Sequence, residues 1–207
     1  MEEKINRAGD FMVSELGWTI TRVKEGYIRI NVCSREKPPD KLLNSYQYEN
    51  RFRKELEKYK PIERIDLIVN SPGGVVDSAF GMLAALYDLK KCKGRVLIDG
   101  WCGSAATLVA FGCKAPVFIT PTAKVKTHLP KAMVMANKGG VWNSYQKLAK
   151  LSTVNMITAV YRGKCKKKRS EIRKWMEEEK CFSSAEAIEA GLCDYLMTRS
   201  EFEKGGQ

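Results

Sequence analysis

The chain is short of the features that would set it apart from an ordinary globular protein. Its 207 residues include one histidine, His128, and the seven cysteines (Cys33, Cys92, Cys102, Cys113, Cys165, Cys181 and Cys193) contain no C-x-x-C pair. An odd number of scattered thiols provides no disulfide framework. With one imidazole, a tetrahedral zinc site would need unclustered thiolates, so neither disulfide nor metal is expected. No run reaches the roughly 18 apolar residues of a membrane span. The opening Met1-Glu2-Glu3-Lys4 also lacks a basic region leading into an apolar stretch, so a cytoplasmic protein without membrane association is expected. Hydrophobic residues at 44% and charged residues at 29% exclude the low-core, high-charge composition of disordered chains. The length suits one domain over residues 1–207.

Acidic residues are the scarcer sign, 24 against 36 Lys and Arg, for a net charge of +12. Much of the excess is local. Between residues 162 and 174 the bases Arg162, Lys164, Lys166, Lys167, Lys168, Arg169, Arg173 and Lys174 face one acid, Glu171. Nucleic-acid readers interleave aromatic or small groove-reading residues with such charges. This stretch has none before Trp175, so it reads as a solvated loop and nucleic acid is not an expected partner.

Periodicity divides the rest. Residues 1–17 have no sustained period and read as an arm. Residues 18–23 and 27–32 are β-branched and aromatic runs around Lys24-Glu25-Gly26, a hairpin or two successive strands. Tyr46, Phe52, Leu56 and Tyr59 mark a surface helix stopped by Pro61. Strand-like runs at 65–69, 95–98 and 117–120 then alternate with helical patterns at 76–87 and 105–111, which predicts an α/β fold around a largely parallel sheet. Residues 141–161 form the longest helical candidate and carry two apolar seams. One holds Trp142, Tyr145, Ala149, Met156 and Val160; the other holds Leu148, Leu151, Val154, Ile157 and Tyr161. Two seams suit packing on the chain's own core and on a second copy, or a helix wholly buried in its own domain. Ser183-Ser184-Ala185-Glu186 has capping-box spacing and opens a last short helix ending near Gly191.

Chemistry needs His128 to have a partner, and Ser104 is the candidate. It lies in Gly100-Trp101-Cys102-Gly103-Ser104-Ala105-Ala106, after a predicted strand and at the start of a predicted helix. There a hydroxyl is exposed and the free N–H groups of the first helical turn face an anion. The stretch is not a G-x-S-x-G elbow, and Ser104 as a plain N-cap is the simpler reading of that turn alone. A second Gly-rich turn, Ser71-Pro72-Gly73-Gly74, has the same strand-to-helix placement. Its glycines expose backbone N–H groups that suit an oxyanion hole, or serve tight turning alone. Cys102, two residues before Ser104, reads as a packed thiol rather than a nucleophile.

Together these segments resemble a known family. Ile68-Val69-Asn70-Ser71-Pro72-Gly73-Gly74 is similar to the I-N-S-P-G-G segment of the Clp protease proteolytic subunit. The Ser104 segment is similar to its G-x-A-A-S-x-A nucleophile segment, and Lys126-Thr127-His128-Leu129-Pro130 to its histidine segment ending I-H-x-P. Phe182-Ser183-Ser184-Ala185-Glu186-Ala187 and Gly191-Leu192-Cys193-Asp194 are similar to its S-A-x-E-A and G-L-x-D close. The likeness runs in order from about residue 64 to 197 and leaves the N-terminal third unaligned.

The resemblance implies a Clp/crotonase-type α/β fold with repeated β-β-α units and a long protruding helix. It implies a serine endopeptidase acting on unfolded proteins or peptides through an acyl-enzyme, with no cofactor. Residue by residue it makes Ser104 the nucleophile, His128 the general base, and the Gly74 and Ala105 N–H groups the oxyanion hole. The family's acid is usually Asp; the matching position, counted back from Ser183, is Glu179, with Glu177 and Glu178 beside it as a solvated helix end. The family also assembles as stacked seven-membered rings fed by an ATP-driven unfoldase, so the helix at 141–161 is expected to join rings. Two alternatives remain open at this point. One is a divergent noncatalytic ring subunit; the other is a crotonase-like acyl-CoA enzyme, which would have no use for a Ser104–His128 pair.

Overall fold

A computed structural model describes residues 16–34, 45–89, 92–130 and 140–205, the side chains of 34, 45 and 140–150 excepted. The arm expected at 1–17 lies outside the described residues up to position 15. The first elements are β1 (Leu16–Lys24), β2 (Tyr27–Ser34), α1 (Ser45–Glu57), β3 (Arg64–Ser71) and α2 (Val76–Tyr87). β4 (Lys93–Gly103), α3 (Ala105–Gly112), β5 (Val117–Ile119) and β6 (Lys124–Lys126) follow. After α4 (Gly140–Cys165) come α5 (Arg169–Glu177), β7 (Cys181–Ser183), α6 (Ser184–Glu189), β8 (Tyr195–Leu196) and α7 (Arg199–Lys204).

The strands form one sheet in the order β1-β2-β3-β4-β5-β8, with β6 pairing β4 and β7. Residues 18–23 and 27–32 are a true hairpin, since β1 and β2 run antiparallel. From β2 through β3, β4 and β5 to β8 every pairing is parallel, as alternating strands and helices require. Both sheet faces are covered, which is why β3 reads as a continuous apolar run rather than an alternation. Ile65, Leu67 and Val69 face the main core with Val96 and Ile98 of β4, under the helices. Ile68 and Leu97 face the other way and meet Phe202 of α7. On that second face buried Asp66 receives the Arg95 guanidinium through Nε at 3.0 Å and Nη2 at 2.5 Å, and Arg95 also donates to the Phe202 carbonyl at 2.9 Å. The C-terminal helix is thereby fastened to the sheet.

Two expectations change. The basic stretch at 162–174 is a loop only at 166–168: the rest lies in the end of α4 and most of α5, which buries Ile172, Trp175 and Met176 at helical spacing. Its charges are laid out as i,i+4 ion pairs, Lys167–Glu171, Arg173–Glu177 and Lys174–Glu178, on the solvent side. The helix after Ser183 has its capping box but is not the last; a second box, Thr198 with Glu201, starts α7.

α4 extends past both predicted ends. Val154, Ile157 and Tyr161 are buried against the chain's own core, whereas Leu151, assigned to the same seam, is half exposed. Met156 of the other seam is also exposed. The seam residues Trp142, Tyr145, Leu148 and Ala149 lie outside the described side chains. Among the described residues no helix is long and apolar enough to cross a membrane.

Candidate active site

β3 and β4 end side by side but out of simple register. Val69 pairs with Ile98, whereas Ser71 pairs with Cys102, so three residues of β4 (99–101) oppose Asn70 alone. The bulge is filled by Asn70, whose side-chain carbonyl accepts the Trp101 N–H at 3.1 Å. Gly100 is left-handed here, φ 107°, and a Cβ on it would sit 3.0 Å from Asn70 Oδ1. Bulges beside functional sites re-aim the residues that follow. This one brings Gly103 and Ser104 alongside the turn that ends β3.

That turn is tied by Ser71, whose buried hydroxyl accepts the Gly73 N–H at 3.2 Å. Gly73 has φ 109°, and a Cβ there would lie 2.5 Å from Ser104 Cβ, 2.7 Å from the Gly103 carbonyl oxygen and 3.0 Å from Ala105 N. No side chain fits between the two turns. The two Gly-rich segments are one structure.

Ser104 occupies the N-cap position of α3, yet it does not cap. Its backbone is at φ 52°, ψ −127°, and its hydroxyl makes no capping hydrogen bond. An L-residue in that region is held in strain of order 1–3 kcal/mol, and such strain clusters at active sites. The plain N-cap reading of the sequence is therefore replaced by a strained strand-to-helix turn that presents the hydroxyl. Ala105, the first residue of α3, has no intrahelical acceptor for its N–H. Gly74 stands just before Val75, the N-cap of α2, which likewise lacks a side-chain cap. Two helix N-termini without side-chain caps thus begin within a few residues of the contact between Gly73 and Ser104, each favouring negative charge.

His128 arrives by a short route. β6 runs parallel to the end of β4, pairing Gly103 with Lys126, and the Ser104 N–H donates to the Lys126 carbonyl at 3.0 Å. Thr127 then anchors the segment: its N–H donates to Lys180 O at 2.9 Å and its hydroxyl to Trp175 O at 3.0 Å. Leu129 N–H donates to Met176 O at 3.1 Å. The imidazole between these anchors has Nδ1 2.6 Å from the Leu129 carbonyl oxygen. A carbonyl only accepts, so Nδ1 carries the proton and Nε2 is left as the basic nitrogen. Among the described residues no hydrogen bond joins this ring to Ser104 Oγ.

Glu179 follows the end of α5. Lys180 N–H donates to Trp175 O at 2.9 Å and Glu179 N–H to Met176 O at 3.4 Å, the two bonds of a Schellman motif with Glu179 at its left-handed position, φ 48°. Glycine or asparagine is the usual choice there. Glu177 and Glu178 are engaged with Arg173 and Lys174, as a solvated helix end should be. The Glu179 carboxylate lies 3.3 Å from Lys126 Nζ, with both side chains well exposed. The structure therefore brings Ser104, Gly73 and Ala105 together with Gly74 next in the chain, sets His128 two residues beyond the strand end that holds Ser104, and pairs Glu179 with Lys126.

Cys102 is fully buried, and desolvation, followed by the neighbouring Cys193, pushes its thiol well above the ordinary range. It is a core residue. Asn70 and Lys126 were not singled out from sequence, although both lie inside the quoted motifs. Among the described residues no cluster of His, Cys, Asp and Glu could hold a metal ion.

The sheet and this corner define an α/β protein that presents a strained serine between two glycine-rich turns. The family model for Clp protease matches residues 54–200, and the chain belongs to that family. Among solved structures, the chain is similar to a point mutant of ClpP1 from Listeria monocytogenes, with 17% identity, a TM-score of 0.63, and coverage of 75% of this chain and 88% of the other. That likeness concerns the fold.

Proposed function

We propose that the chain is a serine endopeptidase that cleaves peptide bonds in unfolded proteins or peptides through an acyl-enzyme. It would act in the cytoplasm as the proteolytic subunit of a compartmentalised Clp-type assembly. The observation that carries the reading is Ser104 at φ 52°, ψ −127°, its hydroxyl uncapped and its neighbour Ala105 N–H unpaired within the helix. Family membership supports it.

In this reading Ser104 Oγ attacks the scissile carbonyl carbon and its proton passes to His128 Nε2. The negative charge gathering on the carbonyl oxygen is met in this reading by the N–H groups of Gly74 and Ala105. His128 then returns the proton to the departing amine as the C–N bond breaks. Water repeats the cycle on the ester and frees Ser104, and no step calls for a cofactor. The Leu129 carbonyl holds the imidazole in the tautomer this requires. Glu179 is the third member by family resemblance; its pair with Lys126 is solvent-exposed, of a kind that contributes about 0–1 kcal/mol.

The exposed Leu151 and Met156 on α4 support assembly with further copies, as stacked seven-membered rings by family resemblance, with an ATP-driven unfoldase as feeding partner. Sedimentation should show a large oligomer, and Leu151→Lys with Met156→Lys should split it. A second reading, a ring subunit without catalysis, is favoured by one observation, the Glu179–Lys126 pair. Hydrolysis of a fluorogenic peptide by the wild type, and none by Ser104→Ala, separates the two; equal turnover in both would end the peptidase reading.

A further inference from the structure

A strained serine needs both of its flanking peptide planes held, because φ sets the direction of its N–H plane and ψ that of its C=O plane. The N–H side is secured by the sheet, through the 3.0 Å bond to the Lys126 carbonyl. The C=O side is secured from within α3. Thr107 N–H donates to the Ser104 carbonyl at 3.0 Å, and the Thr107 hydroxyl donates to the same oxygen at 2.5 Å. A hydroxyl has one proton. With that proton on the Ser104 carbonyl, the 2.6 Å contact between Tyr161 Oη and Thr107 Oγ1 has the phenol as donor. A directed chain therefore runs from α4 to the serine backbone: Tyr161 O–H to Thr107 O–H to Ser104 C=O.

Each link is dry. Thr107 is 1% exposed and Tyr161 2%, and the phenol ring is steered by an edge-on contact with Phe111 of α3, centroids 5.4 Å apart. Burial raises the phenol far above its ordinary range, so it stays a donor wherever the chain is folded. In such surroundings successive hydrogen bonds polarise one another, and the Thr107 proton is held on the carbonyl rather than rotating to other acceptors.

We infer that Thr107 and Tyr161 are positioning residues for Ser104, holding its carbonyl plane and through it the direction of the hydroxyl. The inference rests on the peptidase reading above. It names residues that touch neither substrate nor reacting atoms, one of them on a helix more than fifty positions along the chain.

The test is steady-state peptide hydrolysis together with the rate at which a fluorophosphonate inactivates the enzyme. Tyr161→Phe keeps the buried ring and should lower kcat about tenfold with KM unchanged, the scale of one buried hydrogen bond. Thr107→Val keeps the shape and should lower kcat roughly thirtyfold, with the fluorophosphonate rate falling in parallel. Thr107→Ser restores the hydroxyl and should return to within about twofold of wild type. The double variant Tyr161→Phe with Thr107→Val should be no slower than Thr107→Val alone, because both act through one chain. If Thr107→Val unfolds the protein, Tyr161→Phe decides the matter; if Tyr161→Phe unfolds it, Thr107→Val against Thr107→Ser does. A wild type that reacts at Ser104 while Tyr161→Phe and Thr107→Val react equally fast would overturn this inference and leave the peptidase reading standing. A wild type that never reacts at Ser104 would overturn both.

Discussion

Two corners of the candidate site have left-handed backbone at a non-glycine residue, and they are held in opposite ways. Ser104 is clamped on every side by groups that cannot leave: the Lys126 carbonyl, the Thr107 side chain and the Gly73 backbone at van der Waals limit. Glu179 has its backbone held by a Schellman motif, while its half-exposed carboxylate pairs with Lys126 at the surface. The proposed nucleophile is built into the sheet. The acid is appended to the rim. A site of this kind has a preformed half, whose geometry the fold guarantees, and a half whose geometry rests on a weak surface ion pair.

The sharpest break is Ser104→Ala, which removes the nucleophile and leaves the turn. Peptide hydrolysis should fall by at least about 10⁴-fold, with the thermal unfolding midpoint within a few degrees of wild type. Gly73→Ala attacks the same corner through the backbone. Its Cβ would meet Ser104 Cβ at 2.5 Å and φ is +109°, so it should destabilise the fold on the order of 3 kcal/mol and lose turnover together. Denaturant unfolding would record the first effect and peptide hydrolysis the second.

The acid corner should respond more mildly and with a different signature. Glu179→Gln should lower kcat roughly ten- to a hundredfold with KM little changed, less than the loss in a triad whose acid alone fixes the tautomer, because the Leu129 carbonyl already does so here. Glu179→Gly should lower kcat similarly while raising stability by about 1 kcal/mol, since glycine relieves the left-handed position. Stability and activity moving in opposite directions is the mark of a residue kept for function. Lys126→Gln removes one partner of the carboxylate and should raise kcat up to a few-fold; a fall would mean that Lys126 itself supports the site.

The smallest effect separates both corners from the periphery. Glu186 and Glu201 accept hydrogen bonds within their capping boxes, from Ser183 and Thr198, and these hold both carboxyls below the usual range. A carboxyl lowered on folding stabilises above its unfolded value and loses that contribution as the pH falls through the lowered one. Thermal midpoints should thus be level from neutrality to about pH 5 and decline below it, and Glu186→Gln with Glu201→Gln should flatten that decline.

How much of this could be read beforehand follows from how local each feature is. The strand-to-helix glycine turns and the alternating elements are patterns a few residues long, and both landed where expected. α5 was hidden because its apolar positions, Ile172, Trp175 and Met176, sit in a base-rich stretch, and the i,i+4 pairs of Lys167, Arg173 and Lys174 become visible only once the helix is formed. β6, β7 and β8 have three, three and two residues, too short for a period, and exist because neighbouring strands offer them partners. α7 rests on the single buried side chain of Phe202. The strain at Ser104 has no local signature at all, since any hydroxyl after a glycine could have been a cap. Likewise the link from Tyr161 through Thr107 depends on how α3 and α4 pack. The count back from Ser183 names Glu179 by resemblance alone; that it differs from Glu177 and Glu178 in being turned left-handed appears only in the assembled backbone.

The central claim is that the fold activates Ser104. It is tested most directly by treating the folded protein with a fluorophosphonate and mapping the adduct by peptide mass spectrometry. The account predicts one adduct per chain, on Ser104, formed in the native protein, and absent from His128→Ala and from protein unfolded before treatment. An unmodified Ser104, or modification that is as fast in the unfolded chain, would contradict it.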